Sequence, residues 1–276
     1  LSQATIARGQ LLRPFPQYGN INSYLQNRGS SSYHSMTLRV EKRLSRGLTA
    51  QAAYTNGKLI DNASGRVVNI TDFVPPVQDH YNLRGERAIS EGDISQRLVL
   101  FGEWDVPVGR GRRFASRAPA VVEQIAGGWS LAAWATFHTG FPLHLRSTGT
   151  SGVSGSGVLR PNSTGRSANK TGPTQSRLSE YFDTSAFRVP EPFTFGNVSR
   201  TLPDVRGPGR AHVDLTIHKD FRLRERLTLR ARGEIYNIAN TPFFGMPGDT
   251  LGGATFGLIS GASLERTAQL SMKLIW

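Results

Sequence analysis

The sequence predicts an all-β fold: part of an antiparallel transmembrane β-barrel, about seven or eight strands, with long loops at one end. Three observations carry this. Apolar and polar residues alternate through seven stretches of about ten residues, tight and long connections take turns between them, and no window of 18 consecutive apolar residues exists to form a membrane-crossing helix. Strands of about 9–11 residues tilted by about 45° cross a bilayer core, whereas soluble strands average about five or six.

In chain order, residues 33–44 set Met36, Leu38 and Val40 against Ser35, Thr37, Arg39 and Glu41. Residues 48–55 set Leu48, Ala50, Ala52 and Tyr54 against Thr49, Gln51 and Thr55. Residues 97–106 set Leu98, Leu100, Trp104 and Val106 against Arg97, Glu103 and Asp105. In 129–138, Trp129, Leu131, Ala133, Ala135 and Phe137 oppose Ser130, Thr136 and His138. Residues 210–221 oppose Val213, Leu215, Ile217 and Phe221 to His212, Asp214, Thr216, His218 and Asp220. Residues 227–236 oppose Leu227, Leu229, Ala231 and Ile235 to Thr228, Arg230, Arg232 and Glu234, and 267–276 repeat the pattern. Period two puts each set on its own face. The apolar faces are expected to meet lipid, and the charged faces water or a plug in the lumen.

The connections differ by side. Ser45-Arg46-Gly47 and Leu223-Arg224-Glu225 read as three-residue hairpin loops, Gly47 supplying a left-handed residue. Residues 107–126 form a longer basic connection on that same side, while 56–94, 139–209 and 241–264 are long and rich in Gly, Pro, Ser and Asn. Outer-membrane barrels sort their connections this way, and Trp129 and Trp276 sit where an aromatic girdle would. The same alternation permits a soluble all-β protein with one buried sheet face, but such a protein seldom sorts its loops by side.

Lys and Arg number 33 against 20 Asp and Glu, a net charge of +13. That balance raises nucleic acid as a partner. The basic residues are dispersed, however, with Arg110, Arg112 and Arg113 the densest group and Lys42, Arg43 and Arg46 the next, and no aromatic-interleaved stripe. No nucleic-acid partner is expected. Basic residues in loops and near strand ends instead have two readings, pairing with outer-membrane lipid and lipopolysaccharide phosphates or simple solvated charge. The chain holds no cysteine, which excludes disulfides, zinc–thiolate clusters and thiol catalysis. It opens at Leu1 without a signal peptide, and is expected to be a piece of a longer protein.

A resemblance runs through several longer stretches. They are LLRPFPQYG (11–19), SYHSMTLRVEKRLSRGLTAQAAYT (32–55), ERAISEGDISQRLVL (86–100), PVGRGRRF (107–114) and GGWSLAAWATFHTGFPL (127–143), then YFDTSAF (181–187), FTFGNVSRTLPDVRGPG (193–209) and RGEIYNIANTPFFGMPG (232–248). In this order they resemble the C-terminal part of the barrel of TonB-dependent outer-membrane receptors of the Oar-like type, over nearly the whole chain. The resemblance implies a barrel of about 22 strands around an N-terminal plug. It also implies uptake of a bulky solute with energy relayed by TonB, reached through an N-terminal part outside these residues. Thr55-Asn56-Gly57-Lys58 departs from the family pattern, which has an aromatic and a serine before the lysine, and blurs the end of the second strand.

Among candidate sites, His212, Asp214, His218 and Asp220 invite a metal reading. Residues two apart on a strand lie about 6.8 Å apart, too far for these side chains to converge on one ion without a neighbouring strand. A lumenal salt-bridge ladder with Arg230, Arg232 and Glu234 is the expectation, with Asp214 facing Arg232 and Asp220 facing Arg226. Arg39, Glu41, Glu103 and Asp105 are further lumen-facing polar candidates. Glu103 and Asp105 have no nucleophile or oxyanion donors nearby, so neither enzymatic activity nor a cofactor or metal is expected. The stretch SGVSGSG (151–157) lacks the Lys-Ser/Thr of a phosphate loop and reads as an exposed loop.

In the loop 139–209, Tyr181, Phe182, Phe187, Phe193 and Phe195 accompany Asp183, Asp204 and Arg206. This segment is expected to pack back over or into the barrel mouth and help form the solute site. Leu270, Met272, Leu274 and Trp276 are expected to make the lipid face of a last strand and to end in an aromatic insertion signal for the barrel-assembly machinery. Two other functions fit parts of this pattern: a complete small barrel of eight strands serving as adhesin or structural protein, and a soluble basic β-protein binding polysaccharide or nucleic acid.

Overall fold

The computed structural model describes residues 5–19, 21, 27–63, 77–148, 158–224 and 226–276. Seven long strands follow one another in the sheet in chain order: β1 Ser31–Ser45, β2 Leu48–Asp61, β3 Gln96–Asp105, β4 Trp129–His138, β5 Arg210–Arg224, β6 Leu227–Tyr236 and β7 Thr267–Ile275. Every neighbouring pair is antiparallel. Two short α-helices, α1 Arg8–Leu11 and α2 Ala120–Ala126, three single-turn 3₁₀ helices and a few two-residue strands lie in the loops. Among the described residues β1 and β7 each pair on one side only, so the sheet is open.

The second strand does not end at residue 55 but runs on to Asp61. Its glycine is the reason: Ser35 lies opposite Gly57, and a Cβ on Gly57 would sit 2.8 Å from the Tyr33 hydroxyl and 3.1 Å from its ring. The aromatic ring occupies the space that a side chain would fill, and the pairing continues past it. The first tight turn also differs from expectation. Ser45 pairs with Leu48, leaving a two-residue loop in which Arg46 and Gly47 have φ of 56° and 77°. Both left-handed residues match the twist of the strands, and a register shift between Lys42 and Ser45 absorbs the difference. In the second turn Arg224 lies opposite Leu227, and Glu225 is outside the described residues.

The register carries the two faces across all seven strands. Leu38 pairs with Tyr54, Tyr54 with Leu98, Leu98 with Phe137, Ala133 with Leu215, Leu215 with Ile235, and Leu229 with Leu274. One continuous apolar face results, and much of it is bare, with Met36 at 67 % and Leu270 at 89 % exposure. The buried core lies elsewhere. Leu143, Leu145, Tyr181, Phe182, Phe187 and Ile259 lead a cluster drawn wholly from the long loops, with Phe244, Leu251 and Phe256 packed against it. The rings of Phe182, Phe187 and Phe256 meet edge to face at centroid distances of 5.3 to 6.3 Å, a geometry aromatic quadrupoles favour. A sheet that keeps its apolar face outward while its loops fold around a private core expects an apolar solvent around the strands.

Candidate functional site

The opposite face of the sheet is polar and internally paired. On β1 and β2, Arg39 donates to Glu41 at 3.2 Å and to Gln51 at 3.0 Å. Glu103 lies opposite Thr49 and Ala132. The Asp105 carboxylate accepts from the Ser130 hydroxyl at 2.7 Å. Farther along, Asp220 and Arg230 form a two-pronged pair, and Arg232 donates to Glu234 at 2.7 Å along its own strand.

A ladder is present, but in another register than expected. Asp220 lies opposite Arg230 rather than Arg226, and Arg232 lies opposite His218 rather than Asp214. The turn is responsible: Arg224 pairs with Leu227, so the chain reverses two residues farther along than the expected pairs require, and every partner moves by four. Asp214 instead holds His212 Nε2 at 2.9 Å and accepts the Asn237 backbone N–H at 2.9 Å. It thereby pins the chain where β6 ends. No group of three or more metal-ligating side chains occurs among the described residues. Phe101 and Trp134 also sit on this polar face, 6.1 Å apart, with Trp134 opposite Asp214. Their odd position in the alternation was legible in the sequence.

Above the end of the sheet opposite the tight turns, the long loops form a folded cap. Arginines bolt it together and to the sheet. Arg160 pairs with Glu86 at 3.1 Å with both side chains nearly inaccessible, and burial pulls the Arg160 pKa below its ordinary value while Glu86 opposes the shift. Arg200 grips Asp61 at the end of β2 and donates to the Glu86 carbonyl at 2.8 Å. Arg206 bridges Asp93 at 2.5 Å and the Gly140 carbonyl at 3.1 Å. Buried Gln78 donates to the Gly196 carbonyl and accepts from the Arg160 backbone. These links join residues 66 to 139 positions apart and could not be read from alternation.

The aromatic loop segment divides. Tyr181, Phe182 and Phe187 are core. Phe193 and Phe195 stay half-buried, with the Arg8 guanidinium 4.7 Å above the Phe193 ring. Asp183 caps a short turn by accepting from Ser185, Asp204 is exposed, and Arg206 is one of the bolts. Residues 151–157 lie outside the described residues.

The cap opens in a cleft of about 100 Å³ lined by Glu91, Phe141, Leu143, His144, Met246 and Asp249. His144 Nε2 lies 2.7 Å and Arg146 Nη2 2.8 Å from Asp249 Oδ2, and Glu91 Oε1 is 4.0 Å from the other His144 nitrogen. Burial alone would raise the Asp249 pKa, but hydrogen bonds from His144, Arg146 and Thr250 hold it well below the usual carboxylate range. The cleft is small beside the roughly 300–1,000 Å³ of enclosed small-molecule sites, so it offers a polar foothold with apolar walls.

At the short-turn end, the last strand brings Leu270, Met272 and Leu274 onto the apolar face opposite Gly233, Ala231 and Leu229. Trp276 follows at 88 % exposure. Trp104, Trp129 and Phe221 lie on the same face near the same end, so the girdle has more members than the two tryptophans expected.

Strands long enough to cross a bilayer, a bare apolar face, a charged opposite face and loops sorted by side define a membrane-spanning β-protein of the outer-membrane kind. The chain belongs to the outer membrane beta barrel domain family, whose pattern it matches over residues 1–269. It resides in the outer membrane. No curated protein and no solved structure matches the chain.

Proposed function

We propose that the chain is the C-terminal part of the barrel of a TonB-dependent outer-membrane receptor of the Oar-like type, importing a bulky solute and catalysing no reaction. The carrying observation is the folded cap: nearly all buried apolar side chains sit in loops over one end of the sheet, cross-linked by Arg160, Arg200 and Arg206. An outer-membrane β-protein without a ligand to engage has little use for a private core of that size in its loops. The described strands then supply about a third of a barrel of about 22, the remaining strands pairing with β1 and β7. A closed barrel leaves no edge in lipid, and the two free edges favour this reading over a complete small barrel acting as adhesin. A soluble basic protein binding polysaccharide or nucleic acid is disfavoured by the bare apolar face.

In this reading the apolar face meets outer-membrane lipid and lipopolysaccharide, and the barrel-assembly machinery inserts the protein. The polar face lines a lumen around a plug, and TonB acts through the N-terminal part. The solute meets the cap first, at the cleft around His144 and Asp249. The test is site-specific cross-linking of the full-length protein to the periplasmic domain of TonB in energised cells. Cross-links at its N-terminal segment are expected. A protein that assembles as a heat-modifiable barrel yet never cross-links would overturn the TonB reading.

A further inference from the structure

The connection between β3 and β4 is a small ordered unit rather than a slack loop. Val108 bridges Phe114, Gly109 N–H donates to the Phe114 carbonyl, and Phe114 N–H donates to the Pro107 carbonyl. Pro119 then starts helix α2, AVVEQIA. Glu123, on one side of this helix, accepts the Arg110 backbone N–H at 2.5 Å and ties the helix to the 107–114 loop. At 100° per residue, Val121, Val122 and Ile125 share the opposite side. They are 71 %, 43 % and 69 % exposed, and Phe114 is 54 % exposed. An ordered backbone that spends its interior contacts on a glutamate and turns its apolar side chains outward is not built for water.

The unit is docked at the aromatic belt. Trp129 Nε1 donates to the Ile125 carbonyl at 2.9 Å. Lys219, the one cation in mid-strand of β5's apolar face, donates to the Gly127 carbonyl and lies 5.2 Å from the Trp129 ring and 5.0 Å from the Phe221 ring. The Gly127 carbonyl just past the helix therefore takes up the ammonium, and the helix stays level with the rim of the apolar face. Arg110, Arg112, Arg113 and Arg117 are exposed on the same unit, and none forms an ion pair with a carboxylate among the described residues.

We propose that residues 107–128 form a membrane foot: the Val121–Val122–Ile125 side of α2 sits in the headgroup region of the periplasmic leaflet, and the four arginines hold the phosphates of anionic phospholipids. Two observations select this occupant. Helix α2 is tied by a hydrogen bond to Trp129 of the face that meets lipid, and the exposed guanidiniums have no carboxylate and complement phosphate, Arg110 donating only through Nε to the Ala118 carbonyl and Arg113 lying over the Phe114 ring. The leaflet assignment rests on the short-turn end being periplasmic, as the proposed orientation has it.

The experiment uses the full-length protein in a cysteine-free background, reconstituted in phosphatidylcholine vesicles containing one quarter phosphatidylglycerol. A bimane label on Ile125→Cys should be quenched by lipids spin-labelled near the glycerol, and a label on Leu215→Cys in mid-strand of the apolar sheet face by lipids spin-labelled in the acyl chain. Quenching at Leu215 without quenching at Ile125 overturns the foot and leaves the barrel; loss of both overturns the barrel reading beneath it. With brominated phosphatidylglycerol in place of spin label, replacing the four arginines by Gln should lower the preference for that lipid by up to about fivefold per arginine. Replacement by Lys should retain most of it. An unchanged preference in the Gln variant overturns the phosphate contacts.

Discussion

Asp220 on β5 and Arg230 on β6 face each other across the polar side of the sheet, with Arg230 Nε and Nη2 2.7 and 2.8 Å from the two carboxylate oxygens. Both side chains remain a third or more exposed, so water screens the pair. Its two-pronged geometry fixes register more than it adds stability. Asp220→Asn, Arg230→Met and the double variant should give a coupling energy of about 0.5–1 kcal/mol in a double-mutant cycle, read from denaturant unfolding of the full-length protein in detergent.

The Glu86–Arg160 pair is a different case because both partners are buried. Glu86→Ala strands a guanidinium without its counter-charge and should destabilise the cap by about 3–5 kcal/mol. Adding Arg160→Met should recover much of that loss. Limited proteolysis of the cap measures both, and a double variant no better than the single would count against a buried-charge cause.

Phe182 is fully buried at the centre of the loop core. Phe182→Ala should cost about 3–5 kcal/mol of cap stability. Heat-modifiable migration should persist, because the strands take none of their pairing from this core. Hydrogen exchange should rise across 178–205 and 244–259 while the strand amides stay protected.

Acid should loosen the corner around Asp249. Its folded pKa lies below the unfolded one, so the carboxylate adds stability above the usual range of about 4 and loses it as pH falls through the folded value. His144, Arg146 and Glu91 face it from the neighbouring segments. Hydrogen exchange in 246–252, corrected for intrinsic rates, should therefore accelerate between pH 5 and the most acid conditions the barrel survives. Asp249→Asn should exchange faster at pH 6 and respond less to acid.

Trp276 ends the apolar face at the short-turn side. If the apolar side chains at the end of β7 are the signal that assembly machinery reads, Trp276→Asp should cut the heat-modifiable full-length protein in the outer membrane several-fold, and Trp276→Phe should restore it. Equal amounts of all three proteins would remove the signal role.

Alternation along the chain is enough to place the seven strands, their two faces and the side on which the connections are short. Each of these depends on a local, period-two pattern: Leu38 and Arg39 must point to opposite faces whatever surrounds them, and a chain with an uninterrupted alternation has one way to keep both sets in suitable surroundings. It could place Phe101 and Trp134 on the polar face for the same reason. Only the folded chain shows that Asp220 meets Arg230 and not Arg226, since placing the reversal two residues farther along moves every partner by four. It alone joined Arg160 to Glu86, Arg200 to Asp61 and His144 to Asp249, pairs with no periodicity between them. A loop's contacts are chosen by chain closure and by the burial of its few aromatics, which are properties of the whole fold rather than of neighbouring residues.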